Sequence, residues 1–560
     1  MSDYTEYSLS ELNKLLQESF VKNWDRPALS DYKGVTMYYR DVARKMAKLH
    51  IIFRELGIKK GDKIGICSRN QAHWAVAYMA IMTYGCVLVP ILHEFKPTNI
   101  EFIVTHSDCK ILFAGSAVLE GISTSNMRGV KRVFCLDDFS VVYESDKEKK
   151  ASYVMEHINE LFGKEYPKTF DSSCLNFYSP ENEDEMVMIN YTSGTSGFSK
   201  GVMIPYRSLM SNVLFAWKVI PQMDNTCDVV SILPSAHMYG MMFEFLFEMT
   251  KGAHVHFLTR IPSPSIIVSA FENIKPKIII SVPLIIEKIY KNRLQPFLEK
   301  QGVRFLLRLP VVDKQIKQQI NNSLTSSFGG NFEEVIIGGA PFNRDADKFF
   351  ASMDFRVTVG YGMTECGPII SYAHWNERKV ESCGYAAPRM EVRVDSTDPQ
   401  NIPGEIQVRG ANVMLGYYKN EQATKESFTE DGWMRTGDLG VIDADGYLYI
   451  KGRSKNMILG PSGQNIYPEE IESSINNMPY VVESLVIEDE GKLIALIFPD
   501  LEATSRDGLS SDDLNLKMKE NIDIVNSEMP NYSKIAGFKL MPEEFEKTPK
   551  RSIKRYIYQK

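Results

Sequence analysis

Tyr191-Thr192-Ser193-Gly194-Thr195-Ser196-Gly197-Phe198-Ser199-Lys200-Gly201 is the stretch on which the reading of the chain turns. It follows the apolar run Met186–Ile189. Its glycines let a backbone pass close to a ligand, while free N–H groups and hydroxyls suit phosphate oxygens. Lys200 adds a point charge. The combination points to a grip on a polyphosphate. It is not the P-loop G-x-x-x-x-G-K-[ST], because Lys200 stands six residues after Gly194 and is followed by Gly201 rather than Ser or Thr. On composition alone, a polar loop between a strand and a helix accounts for the stretch equally well.

At 560 residues the chain has room for three or four domains of roughly 150 residues each. An apolar fraction of 44% and a charged fraction of 24% are those of a globular protein. A net charge of −7 speaks against a nucleic-acid binder, which is usually basic. The eight cysteines contain no C-x-x-C pair, which argues against a cysteine zinc site or a disulfide framework and fits a reducing compartment. The polar, acidic start is unlike a signal peptide, and no run approaches the ~18 apolar residues of a membrane span. The expected location is cytoplasmic.

Short β-rich runs alternate with amphipathic stretches over the first 360 residues. Strands are predicted at Lys63–Cys67, Val87–Ile91, Lys110–Ala114, Arg132–Leu136, Met186–Asn190, Val229–Leu233, His254–Leu258, Lys277–Ser281, Glu334–Gly338 and Phe355–Val359. Helices are predicted at Tyr39–Leu56, Ala72–Tyr84, Arg207–Ile220, Ser265–Asn273 and Leu284–Leu298. Such alternation argues for parallel or mixed α/β sheets covered by helices. After about residue 400, short alternating strands (Gly404–Arg409, Tyr447–Lys451) separated by Asp-Gly turns suggest an antiparallel unit. Beyond Arg453 the pattern is compact α+β, with helices at Pro468–Asn477 and Leu514–Met529 and strands at Tyr480–Ile487 and Lys492–Phe498. A domain boundary is expected near Lys455.

Five further stretches share with the opening one a single order along the chain. They are Leu233-Pro234-Ser235-Ala236-His237-Met238-Tyr239-Gly240, Gly338-Gly339-Ala340-Pro341, Gly360-Tyr361-Gly362-Met363-Thr364-Glu365, Trp433-Met434-Arg435-Thr436-Gly437-Asp438 and Gly452-Arg453-Ser454-Lys455. Taken singly, each has an ordinary reading as a turn or a core segment. Taken together with 191–201, they resemble the AMP-forming acyl-adenylate superfamily, whose loop is roughly [YF]-T-S-G-T-T-G-x-P-K-G. Ser196 and Ser199 depart from that pattern without removing a phosphate donor.

The resemblance implies an α/β fold. Two α/β subdomains and a small β-barrel-like unit would form an AMP-binding region over 1–454, followed by a small mobile α+β domain over 455–560 hinged at Lys455. It implies ATP and Mg²⁺ as cofactors and coenzyme A as co-substrate. Thr192, Ser193, Gly194, Thr195, Ser196, Gly197 and Lys200 would hold the phosphates. Gly339, Ala340, Pro341, Gly360, Tyr361 and Gly362 would line the adenine pocket, with Tyr361 stacking on the base. Thr364 would donate to the α-phosphate, and Asp438 and Arg453 would take the ribose. Thr192 and Glu365 would hold Mg²⁺, a hard cation that favours oxygen ligands. His237 would border the acyl pocket as a positioning group; the apolar residues Met241–Phe247 behind it fit either a lipid channel or a core helix.

The family ends in P-K-T-x-x-G-K-x-x-R, and this chain does not. Four residues beyond Thr548 stands Ser552 in place of the lysine, although Arg555 falls where the final arginine belongs. Lys554, ahead of Lys550 and Arg551, is the expected substitute, because a long lysine stem tolerates a shifted loop. The insert Leu284–Ser327 and the segment before His237 resemble long-chain fatty acyl-CoA synthetases. A medium- or long-chain fatty acid and coenzyme A are therefore the expected partners, with transient membrane contact and no nucleic acid or stable protein partner. The alternatives are an aryl-acid or carrier-protein ligase, and a nucleotide-binding protein that has lost adenylation.

Overall fold

The computed structural model describes residues 7–147, 149–192, 200–260, 263–290, 309–459, 464–548 and 552–559, with 294, 298 and 303 singly. Residues 193–199, most of 291–308, residues 460–463 and 549–551 lie outside the described residues, and with them Ser193, Gly194, Thr195, Ser196, Gly197, Lys550 and Arg551.

The largest sheet has eight strands. Their spatial order is Gly416–Tyr417, Lys200–Pro205, Met186–Thr192, Val87–Ile91, Lys63–Cys67, Cys109–Ala114, Arg132–Cys135, Val141–Glu144. The central strands run parallel, and antiparallel strands close both edges. Parallel strands are buried on both faces, which is why Val87–Ile91 reads as an unbroken apolar run. The helix Ala72–Thr83 is apolar all round and buried over nearly its whole length, as befits a helix wedged between layers. By contrast Tyr39–Glu55 is amphipathic, and Asp41 Oδ2 accepts its first orphan N–H, from Tyr38, at 2.9 Å.

A second sheet runs Asp228–Ser231, His254–Phe257, Pro27–Asp31, Thr36–Tyr38. A third is a parallel trio, Ile279–Ser281, Val335–Ile337 and Val357–Val359. The small unit after Met390 is a four-stranded antiparallel sheet, and no closed barrel forms among the described residues. The apolar residues Met241, Met242, Phe243, Phe245, Leu246 and Phe247 are all buried. Phe245 packs edge-on to Trp74 and Tyr78, so among the described residues this run is core.

One hydrophobic core gathers residues from Leu12 to Leu448, and separate clusters begin at Ile458. The C-terminal domain has its own three-stranded sheet, Val481–Asp489, Lys492–Pro499 and Ile535–Leu540, packed by helices Pro468–Asn476 and Ser511–Glu528. Its hairpin turns through Glu490 and Gly491, both at positive φ, as a two-residue loop of this twist requires. The tail folds back as Phe545 packs on Tyr558 and Arg555 pairs with Glu472 at 2.8 Å. No helix among the described residues is long and apolar enough to cross a membrane.

Candidate active site

The strands Met186–Thr192 and Lys200–Pro205 pair antiparallel, with Thr192 opposite Lys200. A helix, Tyr206–Val219, begins only after the second strand. The end of the first strand is held by the Tyr191 hydroxyl, 2.7 Å from His106 Nδ1.

The Gly338–Pro341 and Gly360–Glu365 motifs sit at the carboxyl ends of neighbouring parallel strands, the edge at which open α/β sheets receive ligands. Gly338–Pro341 follows Val335–Ile337, with Gly339 at φ +88° and Ala340 and Pro341 exposed. Gly360–Glu365 follows Val357–Val359, and the Gly360 N–H donates to the Ile337 carbonyl at 2.8 Å. Gly362 is obligatory for a local reason: a Cβ there would lie 2.3 Å from the Pro368 carbonyl oxygen. His237 caps a short turn, its Nδ1 accepting from the Tyr239 N–H at 3.3 Å. The Tyr239 hydroxyl donates to the Ile336 carbonyl at 3.0 Å, so the His237 segment is tied to the strand below Gly338.

Two side-chain clusters carry the site. In the first, the Tyr361 hydroxyl donates to Asp438 Oδ2 at 2.6 Å, and Arg453 Nε lies 2.8 Å from Asp438 Oδ1. Thr436 presents Asp438 by accepting its N–H at 3.1 Å and donating to the Ile406 carbonyl at 2.7 Å. Burial raises the Asp438 pKa, opposed by the Arg453 charge and the Tyr361 hydroxyl. The Tyr361 hydroxyl is pushed far above its ordinary range, first by burial and then by the Asp438 charge.

In the second cluster Lys200 Nζ lies 4.7 Å from the centre of the Tyr417 ring, and the Tyr417 hydroxyl donates to Glu365 Oε1 at 2.9 Å. Glu365 also holds Met414, whose N–H donates to its carbonyl at 2.8 Å. The Glu365 charge also raises the Asp438 pKa, behind burial. A buried carboxylate with one oxygen held by Tyr417, beside the Thr192–Lys200 hairpin end, fits a hard divalent cation that also takes phosphate oxygens.

Tyr417 was not among the residues singled out from the sequence, nor were Asn212 and Ser208. Asn212 accepts from the Ile369 N–H at 2.9 Å and donates to the Cys366 carbonyl at 3.2 Å, which fixes the turn carrying Thr364 and Glu365. Ser208 packs against Gly367, where a Cβ would lie 2.2 Å from its hydroxyl. Gly416-Tyr417, a glycine and an aromatic ahead of a polar helix start, was the available signal.

Lys554 is not drawn into either cluster. Its Nζ pairs with Glu546 at 3.1 Å inside the terminal hairpin, and among the described residues no contact joins it to Asp438, Arg453 or Glu365. Ser552 is exposed, and its carbonyl accepts from the Thr548 N–H at 2.8 Å. Lys455 lies in the short turn Ser454–Asn456 between the two domains, where Asn456 donates to Glu469 Oε1 at 2.6 Å.

A family model described as AMP-binding enzyme matches residues 16–418, and one described as AMP-binding enzyme C-terminal domain matches 455–560. The chain belongs to the AMP-binding enzyme family. This AMP-binding enzyme is 26% identical to a long-chain-fatty-acid–CoA ligase of Mycobacterium bovis, over 90% of this chain and 87% of that protein. It is also 26% identical to fatty acyl-CoA synthetase A of Dictyostelium discoideum, over 90% and 78%. Among solved structures, the anthranilate CoA ligase AuaEII in complex with anthranoyl-AMP superposes with a TM-score of 0.78 at 18% identity, covering 99% of this chain and 98% of that one. ATP-bound MatB from Rhodopseudomonas palustris gives 0.74 at 21% identity, covering 97% and 98%.

Proposed function

We propose that this AMP-binding enzyme is an AMP-forming acid–CoA ligase acting on medium- or long-chain fatty acids. The observation that carries the proposal is Asp438, buried on a strand of the antiparallel sheet and held between Arg453 and Tyr361, which itself follows a strand of the parallel trio. An ionised carboxylate is acceptor-only, so it suits the two hydroxyls of a ribose. The names and coverage of the full-length relatives support the fatty acid and coenzyme A.

In the first step a carboxylate oxygen of the acid forms a bond to the α-phosphorus of ATP, and the bond to the bridging β-phosphate oxygen breaks. The products are acyl-AMP and pyrophosphate. In the second step the sulfur of coenzyme A bonds to the acyl carbon, the acyl–oxygen bond breaks, and AMP leaves while the thiol proton passes to solvent. The enzyme's share is positioning and charge stabilisation. Asp438 and Arg453 orient the ribose, Tyr361 and Gly339–Pro341 bound the base, and Lys200 and Thr364 face phosphate oxygens. Thr192 and Glu365 would hold Mg²⁺, which when bound neutralises phosphate charge. His237 stands at the acyl side. The division is at 454/455, with Lys455 as the pivot, and Lys554 supplies the missing cation once the C-terminal domain turns.

One observation favours a second reading, in which nucleotide binds without adenylation: Ser552 stands at the lysine position and Lys554 is paired with Glu546. The test is pyrophosphate release from Mg·ATP across fatty and aryl acids, with and without coenzyme A. Release with fatty acids and thioester formation with coenzyme A are expected. Nucleotide binding with no release from any acid would leave the second reading, and release with aryl acids alone would reassign the substrate.

A further inference from the structure

Asp228, His254 and His256 lie outside both clusters of the nucleotide site. The parallel register places Asp228 opposite His254 and Val230 opposite His256. Side chains alternate along a strand, so the two histidines, two residues apart, share one face, and Asp228 joins them on it. His254 Nδ1 is 3.1 Å from Asp228 Oδ1, and His256 Nε2 is 2.8 Å from the same oxygen. The two rings sit 3.9 Å apart centre to centre, and one ligand atom from each of the three residues lies within 4.8 Å of the others.

We infer that Asp228, His254 and His256 form a binding site for a zinc-class divalent metal ion, through His254 Nδ1, His256 Nε2 and an Asp228 carboxylate oxygen. Bonds of ~2.0–2.2 Å to such an ion put neighbouring tetrahedral ligand atoms ~3.4 Å apart. The two nitrogen–oxygen separations, 3.1 and 2.8 Å, need to open by about 0.3 and 0.6 Å to match that ~3.4 Å spacing, and the two nitrogens lie within 4.8 Å of each other. Two imidazoles with one carboxylate is a donor set for zinc and its transition-metal neighbours, and not for Mg²⁺ or Ca²⁺, which take oxygen.

The surroundings prepare the ligands. His254 Nε2 is 2.8 Å from the Ser30 hydroxyl, which is itself 2.8 Å from the Thr36 hydroxyl. With Nε2–H donating to Ser30, Nδ1 presents its lone pair toward Asp228, and the ring is held in the orientation a metal needs. Ser30 comes from the next strand, Pro27–Asp31, in register with His256. The ion would therefore clamp the edge strand Asp228–Ser231 to its neighbours. That strand runs directly into Leu233–His237, so the clamp steadies the approach to the acyl side of the site. All three ligands keep partial contact with solvent, which gives the ion a way in.

The experiment uses the full chain stripped with a chelator and then titrated with Zn²⁺ by calorimetry and with Co²⁺ by visible absorption. One equivalent should bind, Co²⁺ should develop ligand-field bands, and the melting temperature should rise with metal. Asp228→Asn and His256→Gln, made separately, should each weaken Zn²⁺ binding at least ~100-fold and abolish the Co²⁺ bands, since even second-shell losses cost 10–100-fold. If one variant fails to fold by circular dichroism, the other decides. No Zn²⁺ uptake by the wild type, or uptake that both variants retain, overturns the inference and leaves a plain histidine–aspartate hydrogen-bond cluster. These readouts are independent of ligase activity.

Discussion

Removing the hydroxyl of Tyr417 should cut adenylation while leaving the fold intact. In Tyr417→Phe the ring under Lys200 remains, so the cation–π contact at 4.7 Å survives, and only the 2.9 Å hydrogen bond to Glu365 is lost. A hydrogen bond to a charged group is worth about 1.5–3 kcal/mol, and Glu365 is buried, so the upper half of that range applies. At 1.36 kcal/mol per tenfold, kcat/KM for ATP should fall by about 45- to 160-fold. Tyr417→Leu also loses the aromatic face, a further ~0.5–2 kcal/mol, and should fall lower still. The assay is pyrophosphate release with saturating acid, with the Mg²⁺ dependence measured in parallel. A hydroxyl that orients Glu365 for the cation raises the Mg²⁺ needed for half-maximal rate, which a general loss of packing would not do. Wild-type kinetics in Tyr417→Phe, or equal losses in the Phe and Leu variants, would refute the Lys200–Tyr417–Glu365 link.

Glu248 is fully buried with no side chain among the described residues hydrogen-bonded to its carboxylate, and burial, opposed by its own backbone N–H, pushes its pKa up to about 8. Its native pKa is raised above the unfolded value near 4.5, so stability is full below that pH and is lost as pH climbs toward 8, by several kcal/mol over the window. Glu248→Gln should therefore match wild type at pH 5 and unfold at higher urea by pH 8.5; parallel pH profiles would contradict this. Asp438→Asn should raise the KM for ATP about 10²-fold with a smaller change in kcat, because the ribose loses its acceptor; an unchanged KM would remove Asp438 from the nucleotide site. Lys554→Ala should lower the adenylation rate by ~10²–10³ and spare thioester formation from preformed acyl-AMP, whereas Glu546→Gln, which frees Lys554, should not lower it. Equal losses in both half-reactions of Lys554→Ala would mark a structural effect.

Where the sequence was legible, burial made it so. Lys63–Cys67 and Val87–Ile91 form as predicted, because strands covered on both faces must be apolar without interruption. Pro27–Asp31 and Thr36–Tyr38 escaped notice: they are short and carry polar residues, and the first pairs with His254–Phe257, far along the chain, while the second, among the described residues, pairs only with the first. Lys200–Pro205 was hidden by the Gly/Ser-rich stretch before it; this strand pairs antiparallel with Met186–Thr192, so a strand and not a helix follows that stretch. Within the site, Tyr361, Asp438 and Arg453 were legible as motif residues, and the structure joins them. Asn212 and Tyr417 were not, since their work exists only across contacts with Ile369 and Glu365. The Asp228–His254–His256 cluster shows in sequence only as a His-x-His pair, and its carboxylate arrives from the neighbouring strand.

The most direct test of the central claim follows the oxygen. A fatty acid labelled with ¹⁸O in both carboxylate positions is turned over with Mg·ATP and coenzyme A, and the nucleotide products are weighed. Attack of the carboxylate on the α-phosphorus, followed by thiol displacement, predicts AMP carrying one ¹⁸O, with unlabelled pyrophosphate. ADP with labelled inorganic phosphate, or AMP without label, would contradict it.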